Sequence, residues 1–238
     1  MKQLLILSLI IFSSLVFGQD KTYRFLYDFH QKTTLTNDER MYNEADFIVL
    51  YEKELNKSYE VEVVTNSEFS LIKTVEKLDN SQTGQFLYFG PVPKWYLVDF
   101  KNNKSFKESH GQYVSDTISH IKITPTRNTK TVLGIEAKEF TAENENYIYS
   151  FWLAKQNGIT VSPVYFQFNG YIVLELHIKS KLYEKEGGSN NIQYKLKEID
   201  EQVFNLKKEI PKRYLSIQES KDLYDKTMKM NNVGVEKD

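Results

Sequence analysis

A mainly β chain, folded as a single curved, largely antiparallel sheet or open half-barrel with a short C-terminal helix, is predicted from three features of the sequence. Apolar residues recur at every second position in many short runs, as strands half buried against a core require. Polar breakers rich in Asn and Gly separate those runs at short intervals, and helical periodicity is confined to the C-terminus. Sixteen Tyr and 15 Phe supply the apolar area for the core, and with no cysteine in 238 residues neither a disulfide framework nor thiolate chemistry is available.

In chain order, Met1-Lys2 and the apolar run Leu4 to Phe17, closed by Gly18 before Gln19-Asp20, read as an export signal cleaved after Gly18. The run is short for a bilayer span, and no later segment reaches the roughly 18 apolar residues of a membrane helix, so no membrane span is expected after cleavage. The expected organisation is a signal peptide over 1–18, a β domain over 19–215 and a C-terminal helix with a polar tail over 216–238. The expected mature chain, 238 minus 18, has 220 residues, and its expected location is periplasmic or secreted. Formal charge is −1 with 31 Lys+Arg against 32 Asp+Glu, so there is no basic excess to attract nucleic acid.

In "TYRFLYDFH", Tyr23, Phe25, Tyr27 and Phe29 share one face while Arg24, Asp28 and His30 share the other. Further strands are expected at Phe47 to Tyr51, Tyr59 to Val64, Phe69 to Val75, Trp95 to Phe100, His120 to Ile123, Val132 to Phe140, Tyr147 to Leu153, Val161 to Phe168, Tyr171 to Ile178 and Ile192 to Ile199. Asn102-Asn103 and Asn157-Gly158 suit positive φ, and "TRNT", "ENEN" and "GGSNN" are breakers. In "SPVYFQFNGYIVLELHI", Asn169 and Gly170 interrupt the most hydrophobic internal segment. They read either as a hairpin turn joining Val164–Phe168 to Tyr171–Ile178 or as a bulge in one long strand, with a glycine that admits a ligand as the sharper reading. Ser216 and Glu219 have capping-box spacing, which predicts a helix from Ile217 to about Lys229 and a frayed end after Asn231.

The stretch "IKITPTRNTKTVLGIEAKEFTAENENYIYSFWLAKQNGITVSPVYFQFNGYIVLEL" resembles the core of the GLPGLI family of exported bacterial proteins. Lys130, Val132 and Gly134 match the family's "I-x-x-x-x-K-x-I-x-G-Y-x-C" element, and Phe151-Trp152 its aromatic strand. Ile159 and Ser162-Pro163 match "I-x-x-x-x-G-P", and Phe166 with Val173-Leu174-Glu175-Leu176 matches "F-x-G-L-P-G-L-I-L-E-I". The later "IDEQVFNLKKEIPKRY" is similar to the family's "F-x-L-P-x-x-Y" ending. Ala137 stands where the family has cysteine, and "FNGY" at Phe168 to Tyr171 replaces the name-giving bend. The resemblance implies export and an architecture, and no activity. Asp116-Thr117-Ile118 also resembles the D-[ST]-aliphatic acceptor for O-glycosylation of exported proteins in that lineage, with an unmodified loop threonine as the alternative.

The common catalytic templates are absent: there is no G-x-S-x-G elbow, H-E-x-x-H helix, phosphate loop or paired-cysteine motif, so no enzymatic activity and no cofactor are expected. His110, Asp116 and His120 lie close in sequence without a metal-ligand spacing, and no metal site is expected. Glu175 and His177 alternate with Leu174, Leu176 and Ile178 and so share one strand face, read as facing water, with a polar pair lining a cavity as the alternative. Trp95, Trp152, Tyr147, Tyr149 and Phe151 read as core, with the wall of an apolar groove as the alternative. Two functional classes follow. One is an exported, non-enzymatic carrier of an apolar or lipid ligand. The other is a structural or interaction component of the cell envelope that meets a protein partner. An aromatic-lined cavity would favour the first, a packed interior the second.

Overall fold

The structure is a computed structural model; it describes residues 21–41, 48, 56, 58–75, 95–109 and 111–233. The expected signal segment, His110 and, apart from the helical Ile48, the strand expected at Phe47 to Tyr51 lie outside the described residues. The fold is mainly β, a single open sheet with few helices. In chain order the strands are β1 (Thr22–Thr34), β2 (Ser58–Thr65), β3 (Phe69–Val75), β4 (Trp95–Asp99), β5 (Lys104–Ser109), β6 (Gln112–Thr117), β7 (Thr124–Val132), β8 (Ile135–Glu143), β9 (Tyr147–Lys155), β10 (Tyr171–Ser180), β11 (Ser189–Gln202) and β12 (Leu215–Ser216). The helices are α1 (Asn37–Met41), α2 (Lys181–Lys185) and α3 (Ile217–Val233).

All 12 strands form one sheet in the order β12-β6-β5-β4-β3-β2-β1-β11-β10-β9-β8-β7. Every neighbouring pair is antiparallel except β12 with β6. Residues closest in sequence pair as hairpins on either side, and the long strands β1 and β11 join the two halves, Tyr23 opposite Glu201 and Thr34 opposite Ser189. Register slips at Leu26/Tyr27 of β1 and at Leu174 of β10 add one residue to one strand, which bends it and increases the local twist.

Tyr23, Phe25, Tyr27 and Phe29 of β1 are at most 1% exposed and head the main core, as their period of two dictates. Across that face run two irregular segments, Ile118 to Ile123 and Ile159 to Phe168. Tyr165 packs edge-on to Tyr96 at 4.8 Å, Phe166 to Tyr149 at 5.6 Å and Phe168 to Phe151 at 4.8 Å. The Tyr27 hydroxyl donates to the Val173 carbonyl at 2.7 Å, satisfying a phenol whose pKa burial pushes up. A second cluster, Val64, Phe69, Leu71, Leu97 and Phe106, is covered by Leu206 in a 3-10 turn over Leu206–Glu209.

Several expected elements differ. Val161 to Phe168 and His120 to Ile123 are not strands; each contributes only an isolated bridge nearby, Val161 to Ile172 and Ser119 to Phe166. Pro163 offers no N–H to a ladder, and the apolar side chains are buried by lying over the sheet rather than within it. Val132 to Phe140 is not one strand but a hairpin corner: Val132 pairs with Ile135, and Leu133 and Gly134 between them both have positive φ, at 50° and 80°, as a type I′ turn requires. The polar "TRNT" lies inside β7, a sheet-edge strand exposed along most of its length, so it carries no apolar alternation. β5 and β6 were also hidden by polar composition. Helix α3 runs to Val233, past Lys229, and its capping box is formed: the Glu219 N–H donates to Ser216 Oγ at 3.2 Å and the Ser216 N–H to Glu219 Oε2 at 2.7 Å.

Candidate functional site

The solvent face of the sheet centre is built by strands that are remote in sequence. Antiparallel register sets Ser150 of β9 beside His177 of β10, His177 beside Gln193 of β11, Gln193 beside His30 of β1 and His30 beside Ser58 of β2. Side chains directly across a ladder lie on one face, so these five residues form a continuous polar row. The His30 Nδ1 is 2.6 Å from Ser58 Oγ, and the Gln193 amide nitrogen is 3.4 Å from His177 Nε2.

One register step along, Lys179 and Lys32 both pair with Asn191. Asn56 rises beside them: its side-chain oxygen accepts from the Thr33 N–H at 2.7 Å and its amide donates to the Thr33 carbonyl at 3.3 Å. Together these residues enclose an open groove of about 750 Å³ whose aliphatic floor includes the side chain of Ile148, across the ladder from Lys179. Among the described residues no Asp or Glu lines it, whereas two lysines and two histidines do. Lys179 is ion-paired with Glu184 at the rim, and Lys32 has no ion-pair partner among the described residues.

Beside the row is a tighter polar cluster. Glu175, only 7% exposed, lies beneath Lys130, whose Nζ is 2.5 Å from Glu175 Oε2 and 4.1 Å from the centre of the Trp152 ring. Glu175 therefore shares the face of the exposed His177, 3.6 Å away, without facing water as the alternation suggested. The cause is a cation held over Trp152 by β7, two strands beyond β9, which local periodicity does not contain. Glu139 accepts from Ser150 Oγ at 2.7 Å, Asn128 Nδ2 at 2.7 Å and Thr126 Oγ1 at 2.9 Å. The Ser150 bond first, then those from Asn128 and Thr126, holds its carboxyl below the usual range against the opposing effect of burial.

The other sequence candidates are dispersed. Gly170 has φ +74°, and the Tyr171 N–H donates to the Phe168 carbonyl at 2.9 Å, closing a four-residue turn. Asn169 does not have positive φ, so the sign pattern is that of a type II turn with glycine at its third position. The residues before it are not a strand, so this turn is not a hairpin; the bulge of β10 is at Leu174. The Gly170 N–H donates to Thr160 Oγ1 at 3.1 Å and its carbonyl accepts from the Gln156 N–H at 2.7 Å. Thr117 is exposed at the end of β6, with Asp116 Oδ1 accepting from its N–H at 2.7 Å and lying 3.4 Å from its hydroxyl. His120 is exposed, with Nδ1 3.3 Å from the Gln167 carbonyl, and no cluster of three metal-ligating side chains occurs among the described residues. Tyr149 and Phe151 are core at 3% and 0% exposure, while Trp95, Trp152 and Tyr147 are half-buried, Trp95 packing edge-on to Tyr113 at 5.0 Å. Among the described residues no helix is long and apolar enough to cross a membrane.

No family model matches the chain, and no curated protein matches it. Solved structures of similar shape include PNGF-II in its C2 crystal form, with 15% identity and a TM-score of 0.48, and in its P21 form, with 15% identity and a TM-score of 0.45. Each alignment covers 82% of this chain and 31% of PNGF-II, so this chain spans about a third of that protein's length.

Proposed function

We propose that the protein is an exported, non-enzymatic component of the cell envelope that works by recognition at the open face of its sheet rather than by carrying an apolar ligand inside it. The observation that carries this reading is the packing of the interior. The aromatic side chains a lipid would need to meet are already in ring contact, Tyr96 with Tyr165, and Tyr149 and Phe151 with each other and with Phe166 and Phe168. A carrier would have to displace the Ile159 to Phe168 segment, which buries Val161 and Val164 completely and bonds to β10 through the Val161 and Val173 N–H groups. The apolar run before Gly18 and the GLPGLI resemblance support export. Titration of the mature protein with a dansyl-labelled fatty acid tests the reading. No saturable rise in emission is expected, and saturable one-to-one binding would restore the carrier.

A further inference from the structure

We propose that the groove over the His30–Gln193–His177 row binds a sugar carrying an oxyanion, a phosphate or a carboxylate, and that Lys32 supplies the principal charge. This deepens the reading of the open face as the recognition surface.

The composition of the lining points to the ligand. Lys32 and Lys179 provide ammonium groups at one end; Asn56, Asn191 and Gln193 provide amides, and Ser58 a hydroxyl. Such a set matches oxyanions together with the donor and acceptor hydroxyls of a polyol. Among the described residues the lining holds cations and no carboxylate, which favours an anionic over a cationic ligand. The carboxylates beside the lining each have partners: Glu175 is paired with Lys130, Glu139 accepts from Ser150, Asn128 and Thr126, and Glu184 is paired with Lys179 and so offsets that groove ammonium. Lys32, exposed and without an ion-pair partner among the described residues, is the charge left for a ligand. A volume of about 750 Å³ exceeds what a lone phosphate fills and suits a molecule of one or two sugar rings, whose C–H faces would rest on Ile148.

The test is a titration of the mature protein followed by the ring signals of its histidines in ¹H–¹³C spectra, with glucose 6-phosphate, digalacturonate and neutral maltose as probes. Saturable shifts of His30 and His177, with His120 unmoved, are expected for one or both anionic probes, and the probe that binds distinguishes phosphate from carboxylate. Lys32→Glu should weaken binding about tenfold or more, the scale of one charge-assisted contact, with unchanged circular dichroism. Lys122→Glu, an exposed charge outside the groove, should leave it unchanged. Absence of saturable shifts with both anions, equal binding of maltose, or indifference to Lys32→Glu would overturn the proposal. If that happened while the fatty acid also failed to bind, only the ligand class would fall, not recognition at the open face.

Discussion

Gly170 offers a test in which conformation and sterics can be separated. A Cβ built there meets only the Gln156 carbonyl oxygen at 3.5 Å, an ordinary contact, so space is not the obstacle. The obstacle is φ +74°, which costs an L-residue about 1–2 kcal/mol and a β-branched one more. Gly170→Asn should therefore be nearly tolerated, Gly170→Ala should cost about 1–2 kcal/mol, and Gly170→Val about 2–3 kcal/mol. For a chain of this size each kcal/mol lowers Tm by roughly 2–4 °C, so the valine variant should melt about 4–12 °C below wild type. A thermal scan by circular dichroism reads the series, with Glu145→Gln, exposed in the turn between β8 and β9, as the control within about 0.5 kcal/mol. An unchanged Tm for Gly170→Val, or equal losses for Asn, Ala and Val, would refute the argument from the left-handed backbone.

Gly188→Ala should be more damaging than Gly111→Ala: its Cβ would sit 2.7 Å from the Thr34 carbonyl oxygen and 3.0 Å from the Thr36 nitrogen, whereas Gly111 has φ +74° but nothing within 4 Å, and urea melts should rank them so. Because the Glu139 carboxyl is held below its ordinary value of 4.5, its stabilisation is full above that pH and is lost as pH falls through the folded value. Glu139→Gln should accordingly be less stable than wild type at pH 7, and the difference should vanish at low pH in parallel denaturant melts. Burial pushes Tyr96 up to about 12 and Tyr27 and Tyr194 well above 10, so stability present below pH 10 is lost as pH rises through the folded values. Native-state absorbance titration should show these three phenols ionising only as the protein unfolds. Thr117→Ala tests modification: a native mass excess over the cytoplasmically expressed mature chain should disappear in the variant, and identical masses for those two chains would dismiss glycosylation at the exposed Thr117.

Legibility followed the physics of each segment. β1 alternates because one face meets the core and the other meets water, so its four buried aromatics could be read directly. The cap of α3 was equally local, two side chains three residues apart. β7 was invisible because an edge strand exposed on both faces has no reason to alternate, and Ile159 to Phe168 misled because it is apolar for another purpose, roofing the core. The site was less legible still. His30 and His177 were recognisable as polar-face residues of two strands, but their meeting across Gln193 depends on β11 inserting between β1 and β10, a long-range pairing that no local pattern encodes. Lys130 and Glu175 likewise meet only because the strand order brings β7 within reach of β10 across β8 and β9.

Native mass spectrometry of the protein recovered from its own host reads the N-terminus and any retained ligand together, and so bears at once on export and on the absence of an apolar ligand. A chain beginning at Gln19, as the free amine or as pyroglutamate, with no apolar adduct is expected. A stoichiometric lipid that survives desolvation, leaving with unfolding of the chain, would contradict it.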